Sequence, residues 1–254
     1  MLPEERRQYI LAILATNGAA TVRDLAERFD VSLVTIRRDL ERLEGDGLII
    51  KAHGGAVSLG LNTHAELRLT EREQQYRNEK DRIGVKAASL VQPGDTVILD
   101  EGSTCLAIAR YLRAKDNITI ITNGIRVAAE LLGGPGITLL VIGGLCNHES
   151  AMLYGADAER AYSRLRADTY FMGIDAFSAE HGIMDGNFLQ VNLKQTKASA
   201  SSQVIGVAHQ AKFDRRAVAR VGPLTMLHAL ITDGPVDQDL RQCLDTHNIR
   251  CIEA

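Results

Sequence analysis

The chain has 254 residues, 45% of them hydrophobic and 24% charged, which suits a soluble protein of one large or two smaller domains and argues against a disordered or fibrous one. Its apolar runs fall far short of a membrane span, and Glu4, Glu5, Arg6 and Arg7 stand where a secretion signal needs apolar residues, so a cytoplasmic location away from membranes is expected. The net charge of −3 gives no bulk sign of a nucleic-acid partner, and the scattered Cys105, Cys146, Cys243 and Cys251 form no C-x-x-C pair, so neither metal nor cofactor nor disulfide is expected.

Residues 1–57 hold eight cations against nine acids, so any DNA binding there must come from position. A first helix is predicted from about Pro3 to the Asn17-Gly18 stop, with Ile10, Leu11 and Leu14 on one side. Thr21 offers the next N-cap, with Asp24 three residues on, and Asp30-Val31 breaks that helix. Ser32 caps a third. Its Leu33, Ile36, Leu40 and Leu43 are spaced 3, 4 and 3, a single apolar stripe. Two short helices, a tight turn and a third helix within about forty residues describe a helix-turn-helix.

At about 100° per residue the stripe leaves Val34, Arg38 and Arg42 on the opposite face. Thr35 lies beside them, Ser32 sits at the N-terminal tip, and Arg37 and Asp39 fall on the flanks. A recognition helix presents its N-terminal residues to the major groove, which places Arg38 to read a guanine edge or hold a phosphate. Arg37 has a second option in an i,i+4 pair with Glu41. Beyond a Gly45-Asp46-Gly47 turn, residues 48–52 and those near Val57 read as two strands about Gly54-Gly55, a small wing. Lys51 and His53 share one face of it and are candidates for phosphate or minor-groove contact.

The stretch "VSLVTIRRDLERLEGDGLIIKAHGGA", residues 31–56, resembles the signature of the DeoR family of bacterial sugar-metabolism regulators, of the glycerol-3-phosphate repressor type. The T-I-R-R-D-L core and the H-G-G wing carry the likeness. It implies that Arg37 and Arg38 face operator DNA together with Ser32 and Thr35.

Residues 58–78 read as a polar linker that becomes helical, and residues 79–254 as a second domain. "DRIGVKAASLVQPGD" is an amphipathic helix closed by Pro93-Gly94. Apolar strands then alternate with helices: 96–100, 118–122, 137–142, 170–174, 203–207, 229–232 and 249–252. That alternation predicts an α/β domain with a mostly parallel sheet, whose ligand lies beyond the carboxyl ends of the strands. Those ends are rich in Gly and small polar residues: Asp100, Glu101, Gly102, Ser103 and Thr104 open a helix, and Thr122-Asn123-Gly124, Gly143-Gly144 and Gly173-Ile174-Asp175 end three more strands. Helix-start amides and hydroxyls favour an anion, and Lys212 is a cation that follows the next strand.

This half resembles the DeoR effector domain, which shares a fold with ribose-5-phosphate isomerase and glucosamine-6-phosphate deaminase. The resemblance maps Asp100, Gly102, Ser103, Thr104, Thr122, Asn123, Gly144 and Lys212 onto a phosphosugar pocket. Glu101 stands where the family usually has a small residue, His209 where the run before the lysine commonly has Asp, and Gln190 near a place where relatives often carry Glu. The expectation is a repressor of a carbohydrate-catabolism operon. It binds double-stranded operator DNA as a homodimer or tetramer, and a phosphorylated sugar releases it. Two alternatives are an activator of the same build and a sugar-phosphate isomerase fused to a DNA-binding domain, with Asp100 or Asp175 as the base.

Overall fold

The computed structural model describes residues 3–17, 19–45, 49–52, 54–58, 69–148, 150–213, 215 and 217–254, and the chain divides into two units, 1–66 and 67–254. His53 lies outside the described residues.

The first unit runs α1 (Pro3–Asn17), β1 (Ala19–Thr21), α2 (Val22–Phe29), α3 (Leu33–Gly45), β2 (Ile49–Ala52) and β3 (Gly55–Ser58). Local chemistry sets its boundaries. Thr21 Oγ1 accepts from the Asp24 amide at 3.0 Å and starts α2, which ends at Asp30 with a φ of 51°. The Thr35 amide donates to Ser32 Oγ at 3.2 Å and starts α3. Ile10, Leu14, Leu25, Ile36, Leu40 and Leu43 are buried together.

Two features of α3 depart from the helical-wheel reading. Leu33, counted in the apolar stripe, is 44% exposed. Asp39, placed on a flank, is buried, because Arg6 of α1 reaches it at 2.5 Å and Arg7 at 3.6 Å. The wing is three-stranded, in the antiparallel order β1-β3-β2, and β1 was not expected. Gly54 takes a φ of +86°, and a Cβ on Gly55 would stand 2.3 Å from the Ala20 carbonyl oxygen. The glycine pair thus turns the hairpin and lets β1 pack close.

The second unit opens with α4 (Leu69–Gln74) and α5 (Arg77–Ser89), so residues at the end of the linker reading are helical and belong to this unit. Then come β4 (Thr96–Leu99), α6 (Ser103–Leu112), β5 (Ile118–Thr122), α7 (Ile125–Leu131), β6 (Ile137–Val141), β7 (Leu145–Asn147), β8 (Met152–Tyr154), α8 (Ala156–Tyr162) and β9 (Ala167–Gly173). The rest is β10 (Ala176–Ser178), β11 (Gly182–Asp185), α9 (Val191–Ser199), β12 (Ser201–Val207), β13 (Ala219–Gly222), β14 (Ala229–Thr232), α10 (Gln238–Thr246) and β15 (Arg250–Glu253).

Seven strands form one parallel sheet in the order β15-β14-β12-β9-β4-β5-β6. They are the seven expected strands. Both faces of the central strands are covered, and the edge strands β6 and β15 are partly exposed. Val97, Leu99, Phe171, Ile205 and Ile231 pack with Ile83, Leu106, Ile108 and Val127 of α5, α6 and α7. Ile98, Tyr170, Met172, Val204 and Leu230 pack on the other side with Tyr162, Leu193 and Leu240 of α8, α9 and α10. Two small antiparallel sheets, β7-β8 and β10-β11-β13, are additions to the expected plan.

The strand order reverses between β4 and β9. From β4 the chain winds outward through β5 and β6, then returns to β9 and winds the other way through β12, β14 and β15. In open α/β sheets the crevice at such a switch point, outside the carboxyl ends, is where ligands bind. Among the described residues no helix is long and apolar enough to cross a membrane.

Candidate functional site

On the first unit, α3 presents Ser32, Val34, Arg37, Arg38 and Arg42 exposed and Thr35 half-buried, all away from the buried Ile36, Leu40 and Leu43. Ser32 Oγ and Thr35 Oγ1 lie 2.9 Å apart at the helix tip. Arg37 and Arg38 form no ion pair among the described residues, so the Arg37–Glu41 option is not taken up. Glu41 instead lies 3.5 Å from the Lys51 ammonium, which is also 3.8 Å from Glu44. Lys51 therefore backs onto α3. Exposed pairs of this kind are worth about 0–1 kcal/mol, too little to keep Lys51 from a phosphate.

On the second unit, the residues beyond β4 and β9 converge on the switch point. Asp100 is fully buried. Its Oδ2 accepts from the Gly173 amide at 3.1 Å, tying the two strand ends together. Gly102, with a φ of 102°, is the N-cap of α6, so the amides of Ser103, Thr104 and Cys105 begin the helix without intrahelical acceptors. Thr122 and Asn123 are buried at the end of β5. There Thr122 Oγ1 accepts from the Gly124 amide at 3.1 Å, and Asn123 Nδ2 donates to the Leu153 carbonyl at 2.8 Å. Gly144 belongs to a strand contact: a Cβ there would meet the Tyr154 carbonyl oxygen at 2.4 Å.

Two residues that the sequence reading passed over hold this edge together. Lys194 and Lys197 stand one turn apart on α9, and both are buried. The Lys197 ammonium lies 2.5 Å from Asp100 and 3.3 Å from Glu101, with the rings of Tyr162 and Tyr170 at 5.4 and 5.8 Å. Lys194 lies 2.7 Å from Asp185 and 3.4 Å from Asp100, and donates to the Gly173 carbonyl at 2.5 Å. A second group stands beside it. Asp175 receives Arg72 of α4 at 2.6 Å and Lys212 at 3.1 Å. His209 is buried under the ring of Tyr76, 4.4 Å between centroids.

Charge state follows from these neighbours. Burial alone would raise the Asp100 carboxyl, but Lys197 and Lys194 outweigh it and hold it well below the usual carboxylate range. Arg72, Lys212 and Lys194 do the same for Asp175 against its burial. His209 is pushed down to about 3 by burial and by Lys212 and Lys80, so it stays neutral near pH 7. Glu101 is the exception. Burial, and then Asp100, push it up to about 7 despite Lys197 and Lys194.

A carboxyl raised in the folded chain contributes stability only while protonated, and that contribution fades as pH climbs from the ordinary 4.5 toward 7. Asp100 works in the opposite sense below the usual carboxylate range, and His209, lowered from 6.5, favours the fold increasingly as pH rises to about 6.5, but both residues are present in parent and variant, so the difference between the two proteins reports Glu101. The melting temperature of Glu101→Gln, measured against the parent, is therefore expected to gain between about pH 5.5 and about pH 8. A difference that stays flat over that interval would remove the buried acid from this account.

Residues 75–234 match the family model described as DeoR C terminal sensor domain, and residues 6–60 match the one described as DeoR-like helix-turn-helix domain. The chain is 34% identical to the HTH-type transcriptional regulator GolR of Listeria innocua, over 94% of each chain. It is 33% identical to a putative aga operon transcriptional repressor of Escherichia coli, over 98% of this chain and 93% of the other. To the glycerol-3-phosphate regulon repressor of Escherichia coli it is 29% identical over 98% of both. Among solved structures, ribose 5-phosphate isomerase A of Methanocaldococcus jannaschii is similar over 55% of each chain, with a TM-score of 0.41 and 14% identity.

Proposed function

Because the chain belongs to the DeoR family and is a transcriptional repressor by its relatives, we propose that it governs a carbohydrate-catabolism operon and leaves its operator when a phosphorylated sugar binds the second unit. The observation that carries this reading is the switch point between β4 and β9. There a helix start with two hydroxyls, Ser103 and Thr104, stands at the edge that also carries Lys212 and Arg72. A phosphate dianion needs amide and hydroxyl donors together with cations, and this edge supplies all three.

Ser32, Val34, Thr35, Arg37, Arg38 and Arg42 form the operator face, with Lys51 beside it. One winged helix makes few contacts, so a dimer or tetramer on a repeated site supplies the affinity. Ligand binding weakens operator affinity only through a difference in ligand affinity between two arrangements of the protein.

Asp100 and Asp175 do not serve as catalytic bases. The relatives are regulators, and carboxylates held so far below their usual range are poor proton acceptors at neutral pH. In its ionised form, which dominates above about pH 7, Glu101 adds negative charge at the helix start and favours a monophosphate over a bisphosphate.

The test uses the full chain, an operator fragment selected from random DNA, and ribose 5-phosphate, fructose 6-phosphate and glycerol 3-phosphate ranked by thermal shift. Lys212→Ala should bind the operator as the parent does, yet need roughly 10- to 100-fold more of the best ligand for release. That is the loss of one charge-assisted hydrogen bond of about 1.5–3 kcal/mol. Equal ligand sensitivity in the two proteins, or a best ligand without phosphate, rejects this site.

A further inference from the structure

Helix α4 is the first element of the sensor unit and the one the chain enters from the DNA-binding unit. With six residues it is too short to stand alone, and side-chain tethers hold it. Arg72 reaches Asp175 at 2.6 Å. Glu73 pairs with Arg110 and, at 3.2 Å, with Arg126. Lys80 donates to the carbonyls of Arg72 and Gln75. Tyr76, just beyond α4 and with a φ of 53°, stacks on His209.

Of these tethers, one ends inside the proposed effector site. Arg72 and Lys212 share the same oxygen of Asp175. A phosphate that reaches Lys212 comes within range of the same guanidinium, and a dianion outcompetes a single carboxylate for its forked donors. We propose that Arg72 is the residue that reports effector binding: its guanidinium passes from Asp175 to the effector phosphate and draws α4, the first helix of the sensor unit, down on the ligand. The proposal rests on the sugar-phosphate reading above. It gives that reading a two-position element, an Arg72–Asp175 pair and an Arg72–phosphate pair, whose balance the ligand shifts. Arg72 is here an effector contact that also tethers α4, and Glu73, which pairs outside the site, keeps the helix docked in both positions.

The experiment is amide hydrogen exchange on the full chain, with and without ribose 5-phosphate, fructose 6-phosphate, glycerol 3-phosphate and inorganic phosphate, alongside the melting temperature with each. With the probe that raises the melting temperature most, exchange over residues 69–76 should slow by at least about fivefold in the parent. In Arg72→Gln the probe should bind more weakly, and at a concentration that restores the parent's rise in melting temperature the protection of α4 should still be missing. Stabilisation of the parent without protection of α4, or full protection in Arg72→Gln, overturns the proposal and leaves the effector reading standing. If no phosphate raises the melting temperature, the effector reading fails and this inference with it. Should Arg72→Gln fail to fold, the parent's exchange alone decides.

Discussion

Lys197→Met should destabilise the sensor unit by about 3–5 kcal/mol, the cost of removing one partner from a buried ion pair. The Lys197 ammonium is 1% exposed and stands between Asp100 and Glu101. Without it, Asp100 keeps Lys194 at 3.4 Å and the Gly173 amide, while its other oxygen loses a partner at 2.5 Å. Glu101 relieves part of the loss, because it already titrates near neutrality and simply takes up a proton. Asp100 is fully buried and Lys197 is the stronger of the two cations that keep it charged, so in the variant it is left with Lys194 alone or takes up a proton and weakens that pair as well. The double variant Lys197→Met with Glu101→Gln should fare better than the sum of its parts, with a coupling of about 0.5–3 kcal/mol. Urea unfolding followed on the sensor unit measures both. A loss under about 1 kcal/mol for Lys197→Met would mean that water or a rearranged Lys194 serves Asp100 instead.

That pair of lysines marks the limit of what the sequence discloses. Lys194 and Lys197 sit at i,i+3, and two lysines one turn apart on a short helix ordinarily signal a solvated face. Only the fold brings four carboxylates from the ends of β4, β9 and β11 to meet α9. The available signal was an excess of acids at the strand ends, which asks for cations from somewhere. Arg72 was hidden differently, inside the charged run before α5, where nothing distinguishes an inward arginine from its neighbours. Asp39 repeats the lesson in the first unit, since its partner Arg6 is 33 residues away.

The sheet was far easier to see. The central strands, covered on both faces, read as nearly continuous apolar runs, whereas the edge strands β6 and β15 are partly exposed and were legible from their place in the strand–helix alternation. The short antiparallel strands escaped because three or four residues give no period to detect, as in β7, β8 and β10. Strand β1 escaped for the same reason, yet Gly55 pointed toward it: a glycine in a strand often marks another backbone close by. In α3 the wheel placed the arginines outward but miscounted Leu33, because the end of a helix projects past the core it caps.

Arg38→Ala should abolish specific operator binding and leave the fold intact. Arg38 is exposed on α3, opposite Ile36 and Leu40, and has no ion pair among the described residues. Removing it should change stability by no more than about 0.5 kcal/mol. On DNA the same side chain is worth about 1–3 kcal/mol per half-site if it reads a base edge. A repressor on two half-sites loses that twice, about 2–6 kcal/mol, or roughly 30-fold to more than 10,000-fold in affinity. Random-sequence DNA separates base readout from phosphate binding. If Arg38 reads a base, affinity for random DNA should fall much less than affinity for the operator. If it holds a phosphate, both should fall together, and the salt slope should drop by about one unit for each phosphate no longer neutralised. Arg37 lies closer to the edge of the exposed face, so Arg37→Ala should cost less. Fluorescence anisotropy at several salt concentrations, with the melting temperature as the control for folding, measures all of this. Operator affinity close to the parent's in a folded Arg38→Ala would move the recognition surface off this face of α3.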